Sequence, residues 1–368
     1  MEITKTARLT SSLALALVLA GCGTSGTTTD QPQAQVRANA AVMPVPDSVI
    51  AAAKAEEPVL VYGNANDEQI QPVIQAFQAK YPGITVKYLP LGGTTTFQRY
   101  QSEAATGTRT ADLLIENDGR LWSDFAAKGQ VLDYRDPNMA SLPKFADLGG
   151  GIVAMSEDPL VALFNKKLLP EDKQPTSLAQ MADMAAQFKG KITTYEVDSS
   201  LGYGSTYAYL EKNGQQGWDV LARLGAGTTP EANAGSMVTK LQQGAYVMTF
   251  NISGSVRALA ARQYSNLLNF RYLTDDTPLI PRGIAITKAA KSPDGAKVFL
   301  NYLLSAEGQV VGCKTGFTPY REDVDCEYGL NAIKAAVGEN NLIYGNYGPG
   351  LTSQQTEITQ RWNGMFRK

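Results

Sequence analysis

Apolar residues along this chain follow two rhythms in alternation. Val59-Leu60-Val61-Tyr62 is a short apolar run closed by Gly63-Asn64-Ala65-Asn66. Ile70, Val73, Ile74, Phe77 and Tyr81 then recur at helical spacing and stop at Pro82-Gly83. Residues 84–89 alternate and begin β-branched, and Gly92-Gly93-Thr94-Thr95-Thr96 leads into a helical stripe through Phe97, Tyr100 and Ala104. Asp112-Leu113-Leu114-Ile115 reads as a buried strand ending at Glu116-Asn117-Asp118. Strand, helix, strand, helix, strand predicts an α/β fold with mainly parallel sheets flanked by helices.

The second half repeats this order. Strands are predicted at 191–197, 246–250 and 284–286. Residues 199–206 lead into one helix, and Gly217-Trp218 opens another that carries Leu221 and Leu224. Val238 and Leu241 lie on a helix before Gly244. Asn251-Ile252-Ser253-Gly254-Ser255 closes a strand and gives way to a helix at 256–261, and a last stripe runs from 296 to 304. The folded body, from about Pro58 onward, exceeds one comfortable core, which predicts two lobes.

The chain opens differently. Lys5 and Arg8 precede an apolar stretch at 13–19, too short for a bilayer, which needs about 20 apolar residues. Leu19-Ala20-Gly21-Cys22 follows and resembles the lipobox of bacterial lipoproteins. That resemblance implies a signal peptide over 1–21, acylation of Cys22 (palmitate included), and a protein anchored outside the cytoplasm on a bacterial membrane. The alternative is a cysteine that follows a signal peptide by accident. Residues 23–42, rich in Thr, Gly, Gln and Ala, offer too little apolar surface to offset chain entropy. The stretch 22–56 is therefore read as lipidated cysteine and flexible linker.

Composition narrows the chemistry. The chain is 43% hydrophobic and 18% charged, a globular profile, and its net charge of -2 gives no electrostatic basis for binding nucleic acid. Histidine is absent, which removes Ser-His-Asp and Cys-His catalysis and every histidine metal site. Neither an enzyme nor a cofactor is expected. Cys313 and Cys326 lie close in sequence and, in an oxidising compartment, are expected to form a disulfide. Two buried free thiols are the alternative.

Four local motifs carry a family resemblance. Phe77 to Val86 reads F-x-x-x-Y-P-G-I-x-V, and Ala111-Asp112-Leu113-Leu114 follows. Ala296 to Gln309 reads A-x-x-F-x-x-x-L-L-S-x-E-G-Q, and 316–324 reads G-x-x-P-x-R-x-D-V. In this order they resemble the type II extracellular solute-binding proteins of ABC importers, in the branch around ferric-binding proteins. The resemblance implies two hinged lobes that close on a small-molecule ligand and then dock on a membrane permease with its ATPase, most simply as a monomer. Lobe 1 is expected at 57–152 and 270–320 and lobe 2 at 153–269, with 321–368 unassigned. The chain departs from the ferric pattern where adjacent tyrosines should stand, at Phe250-Asn251-Ile252-Ser253-Gly254, and where a histidine should follow the first strand, at Gly63-Asn64-Ala65. A ferric ion needs anionic oxygen or imidazole ligands, so no bound metal is expected.

The candidate site lies in four turns, each read as following a strand and opening a helix. They contribute Asn64 and Ala65; Gly93, Thr94 and Thr95; Ser200, Tyr203, Ser205 and Thr206; and Asn251, Ser253 and Gly254. Ligands of open α/β sheets sit beyond strand C-terminal ends, and helix N-termini favour anions. Asp118 would accept from ligand hydroxyls, and Arg282 or Arg257 would neutralise an anion. The expected ligand is a small polar, anionic organic solute such as a phosphate ester or phosphonate. Each residue also has an ordinary role: Ser, Thr and Asn as helix caps, the arginines on the surface, Tyr62, Tyr203 and Trp122 in the core. Other readings are a ferric or ferric-chelate carrier, a sensor ectodomain partner, and a thiaminase-like group-transfer enzyme needing a nucleophilic cysteine.

Overall fold

A computed structural model describes residues 32–367. The lipobox, Cys22 and the start of the linker lie outside the described residues. A short strand β1 (Ala34–Val36) and helix α1 (Asp47–Ala53) come first. The predicted order then follows in β2 (Val59–Gly63), α2 (Asp67–Lys80), β3 (Val86–Pro90), α3 (Thr94–Ala105), β4 (Leu113–Glu116) and α4 (Gly119–Ala127). β3 and β4 flank β2, all parallel. Val59, Val61, Leu113 and Ile115 pack with α2 on one face, and Tyr62 and Leu114 pack with Phe97 and Trp122 on the other. Burial on both faces is why β2 and β4 read as unbroken apolar runs.

Two strands follow, β5 (Asp147–Gly149) and β6 (Ile152–Asn165). After them come α5 (Leu178–Met184), β7 (Ile192–Tyr195), α6 (Ser200–Gly225), β8 (Thr228–Glu231), α7 (Ala234–Gln242), β9 (Met248–Ser253), β10 (Leu268–Arg271) and β11 (Thr277–Ile286). The chain ends through α8 (Pro293–Leu304), α9 (Ala306–Lys314), β12 (Val324–Cys326), α10 (Leu330–Val337), β13 (Leu342–Tyr344), α11 (Gly350–Ser353) and α12 (Gln355–Phe366).

The main sheet runs β3-β2-β4-β11-β6-β9-β7-β8. Pairing is parallel toward its two ends and antiparallel at its centre, where β6 joins β11 and β9. The first half of β6 pairs with β11 in lobe 1 and the second half with β9 and β10 in lobe 2. β6 therefore crosses between the lobes, and the chain from β10 into β11 crosses back. The hydrophobic/polar pattern misses β6 because Ser156-Glu157-Asp158-Pro159 interrupts its apolar run, yet every one of its 14 residues is buried.

Four further differences bear on function. The stretch read as linker is structured from Ala34: β1 pairs with β12 in a two-stranded sheet of their own, and Arg37 holds Asp325 at 2.6 Å. Backbone pairing of two short strands needs few apolar side chains, so composition gave no sign of it. β9 continues through Ser253, past the end expected at Phe250. The helix expected at 256–261 is present but irregular: a 3-10 turn at Gly254–Val256 runs through two α-helical residues into a π turn at Leu259–Gln263. α6 is broken at Gly214 (φ 50), three residues before the helix start expected at Gly217. In the unassigned C-terminal stretch, β13 pairs with β11, while Trp362 and Phe366 of α12 join the lobe 2 core.

Cys313 and Cys326 are bonded, S–S 2.05 Å. The bridge ties α9 to β12, the strand that carries β1. Removing it as Cys313→Ser with Cys326→Ser is expected to cost about 3 kcal/mol, seen as a lower urea midpoint. An unchanged midpoint would mean that the crosslink constrains nothing that packing does not already hold.

Candidate ligand-binding cleft

Three neighbouring strands of lobe 1 bring polar side chains to one level. Asn64 follows β2, Glu116 and Asn117 end β4, and Arg282 lies on β11 beside Gly283, which pairs with Glu116. The Asn64 amide joins them: its Nδ2 donates to Asn117 Oδ1 at 2.6 Å, and its Oδ1 accepts from Arg282 Nη1. All of these except Asn64 are buried.

Two of the donor sites expected to hold a ligand anion, Ser200 and Ser253, hold carboxylates of the chain itself, and so does Thr96 beside the Gly93 turn. Ser200 Oγ, in the first turn of α6 in lobe 2, donates to Asp118 Oδ2 of lobe 1 at 3.1 Å. Arg120 grips the same carboxylate at 2.7 Å and lies 4.6 Å from the Tyr203 ring. Ser253 Oγ donates to Asp158 Oδ2 at 2.8 Å, and the Gly254 N–H donates to Asp158 Oδ1 at 3.1 Å. Thr96 Oγ1, at the start of α3, donates to Glu116 Oε1 at 2.8 Å.

The charges respond to these surroundings. Burial pushes Asp118 up, but Arg120 and Ser200 outweigh it and hold the carboxyl below its ordinary range. Burial raises Glu116 to about 7 against the pull of Thr96 and Arg282. It raises Asp158 too, against Arg282 and Ser253. Glu157 is raised well above its ordinary range, by complete burial and then by the adjacent Asp158.

The remaining candidates divide. Gly93 opens α3 with φ 53, while Thr94 and Thr95 beside it are exposed. Ala65 contributes its carbonyl, which accepts from Tyr88 at 2.8 Å. Ser205 and Thr206 are buried in α6, and Ser205 Oγ is spent on Gly202 O at 3.3 Å. Asn251 is the one non-glycine residue with positive φ (52) among the described residues. It sits beside the register shift of β6 and β9, a bulge that re-aims Ser253. Tyr203 bonds Leu351 O at 2.7 Å through its hydroxyl. Tyr62 and Trp122 are core, and Arg257 is buried rather than at the surface.

Asn117, Arg120, Glu157 and Asp158 were not singled out from sequence. Asn117 and Arg120 flank Asp118 and could have been found by extending that turn. Glu157-Asp158 looks like a loop until β6 is seen.

Between the lobes lie two crevices. One, bounded by Asp118, Arg120, Ser200, Tyr203, Pro281 and Tyr347, leaves about 10 Å³, room for a single water. The other opens between α2 and α7, past Asn66, Gln69, Val238 and Ser255, and measures about 680 Å³. Among the described residues no three His, Cys, Asp or Glu side chains converge as metal ligands.

Two lobes on a shared central sheet, with polar groups of both meeting at their junction, define a solute-binding protein of the periplasmic type. The chain belongs to the bacterial extracellular solute-binding proteins, whose family model matches residues 73–335. Solved relatives have the same fold. The substrate-binding protein of an ABC transporter from Agrobacterium tumefaciens aligns with TM-score 0.74 and 22% identity, covering 92% of this chain and 99% of its own. Iron-bound HitA from Pseudomonas aeruginosa gives 0.67 at 20% identity, over 84% of this chain and 99% of its own. AfuA from Actinobacillus pleuropneumoniae, with fructose-6-phosphate bound, gives 0.65 at 18% identity, over 84% and 98%. No curated protein matches the sequence. Membership places the chain among extracytoplasmic solute-binding proteins rather than enzymes.

Proposed function

We propose that this protein captures a small polar organic anion, such as a phosphate ester or phosphonate, and delivers it to an ABC permease and its ATPase. Cys22 carries the lipid anchor once residues 1–21 are removed, and the body acts as a monomer.

The observation that carries the ligand class is the contact between Asp118 and Ser200. A carboxylate from one lobe rests on a hydroxyl at the start of a long helix in the other, with a guanidinium alongside. Helix N-termini favour negative charge, so an internal carboxylate there supports the reading that the place suits an anionic oxygen. A solute bridging both lobes favours the closed arrangement because its contacts are complete only there. Phe250 to Gly254 carries no tyrosine and Arg282 sits amid the acids, which weighs against a bare ferric ion. Relatives bind iron in one case and a sugar phosphate in another, so likeness alone does not choose.

Thermal unfolding of the full-length protein in detergent, against phosphate esters, phosphonates, polyamines and ferric citrate, tests this. A phosphate ester or phosphonate is expected to stabilise by about 2.7 kcal/mol at a hundredfold excess over Kd. Ser200→Ala is expected to weaken that binding roughly tenfold, the value of one hydrogen bond to a charged group. Stabilisation by polyamines or ferric citrate alone overturns the reading.

A further inference from the structure

Besides β6 and the stretch from β10 into β11, a third length of chain joins the lobes. Leu342 of β13 packs with Ala146 and Ala154 of lobe 1, and Trp362 of α12 packs in the lobe 2 core. Tyr347 and Leu351 lie between them in sequence and at the junction in space. Tyr347 packs against the Trp122 cluster of lobe 1 and also against the lobe 2 core. Its hydroxyl donates to Pro281 O at 2.9 Å and accepts from the Gly283 N–H at 3.2 Å. Its carbonyl accepts from Ser123 Oγ of α4 at 3.4 Å. The Leu351 carbonyl accepts from Tyr203 Oη of α6 at 2.7 Å, and Asn346 Nδ2 donates to Glu211 Oε2 of α6 at 2.9 Å. The segment is therefore bonded to α4 and β11 on one side and to α6 on the other.

Two glycines make room for it. A Cβ on Gly119, the first residue of α4, would lie 2.4 Å from Tyr347 Cδ1 and 2.5 Å from Leu351 Cδ2. One on Gly283 would lie 3.0 Å from Tyr347 Cε2. Carbon atoms in contact sit about 3.5–4.0 Å apart, so lobe 1 receives the two side chains only because Gly119 carries none. The gaps between the lobes match this fit. Beside Tyr347 and Leu351 the crevice leaves about 10 Å³, whereas between α2 and α7 it measures about 680 Å³. Lobes joined by two strands are free to swing about them as a hinge. A third connection packed against both lobes opposes any swing that would draw α4 from α6. We infer that Tyr347 and Leu351 pin the lobes together at this end, so that they part between α2 and α7 and the solute enters and leaves there. The inference concerns the direction of opening and holds for any class of solute.

Spin labels on exposed positions of the full-length protein in detergent test this. One pair spans the mouth, Glu68→Cys on α2 with Thr239→Cys on α7, and one spans the pinned end, Ala127→Cys on α4 with Gln360→Cys on α12. Without added solute, pulsed dipolar spectroscopy is expected to give the mouth pair two distances more than about 2 Å apart, the scale of a domain rearrangement. The pinned pair is expected to give one. Gly119→Ala puts a methyl group where Tyr347 and Leu351 pack and keeps a good helix former in α4. It is expected to split the pinned pair into two distances as well. Should that variant not fold, the comparison of the two pairs on the otherwise unaltered chain decides alone. Two distances at both ends with Gly119 in place, or a single distance at the mouth, overturns the inference. A folded Gly119→Ala protein whose pinned pair keeps one distance overturns it too.

Discussion

Arg257→Ala is expected to destabilise the protein by about 4 kcal/mol or more, because it strips partners from several buried groups at once. Arg257 is 1% exposed. Its Nε donates to Gly254 O at 2.6 Å, its Nη1 to Tyr272 Oη at 2.7 Å and Tyr328 O at 2.9 Å, and its Nη2 to Thr318 Oγ1 at 2.7 Å. The Tyr328 ring lies 5.0 Å from the guanidinium. The residue thus fastens the turn after β9 to segments that lead from α9 to α10. Arg257→Lys recovers little, since a compact ammonium cannot span a planar fork of donors. Urea denaturation should show a lower midpoint at unchanged slope. If Arg257→Ala kept its midpoint and lost only solute affinity, Arg257 would be a ligand contact, as its charge alone had suggested.

Glu116→Gln should reverse a pH effect. Burial lifts the Glu116 carboxyl from its ordinary 4.5 to about 7. The folded state therefore holds a proton over that window while the unfolded state has released it. Stability then falls as pH rises. Below about pH 4.5 both states are protonated and the effect vanishes; above about 7 the full cost of the buried charge is present. That cost is about 3 kcal/mol. The Gln variant keeps an oxygen for Thr96 and carries no charge. It should match the parent at pH 4.5 and exceed it by about 3 kcal/mol at pH 8. Parallel stability curves for the two proteins across this range would show that Glu116 is solvated as a free carboxylate.

The architecture was legible where burial is periodic. β2, α2, α3 and β4 were placed closely because a strand buried on both faces and a helix buried on one leave different spacings. β6 was not, although it is the longest strand of the described residues. Its middle carries Glu157 and Asp158, whose burial is made tolerable by a raised carboxyl in one case and by Ser253 and Gly254 in the other. Those compensations come from β9, almost a hundred residues on, and leave no local trace. β1 was missed for the opposite reason, since an edge strand held by backbone pairing asks little of its side chains.

The candidate site was half legible. Short polar turns after strands singled out Asn64, Asp118, Ser200 and Ser253, and of these Asp118 and Ser200 meet across the lobes. Their partners were not marked, because a donor's sequence does not say which acceptor folding will bring to it.

By itself the sequence determined the two-lobe α/β class, the family and the disulfide, because local periodicity, ordered motifs and cysteine spacing are properties of the chain. Only the tertiary structure decided which charges face the cleft. The place of β6 between β11 and β9 sets the Asp158 carboxylate on Ser253, a donor that sequence assigned to a ligand. Hydrogen-bond partners are paired in space, so which donors are already occupied appears only once every internal acceptor has been placed.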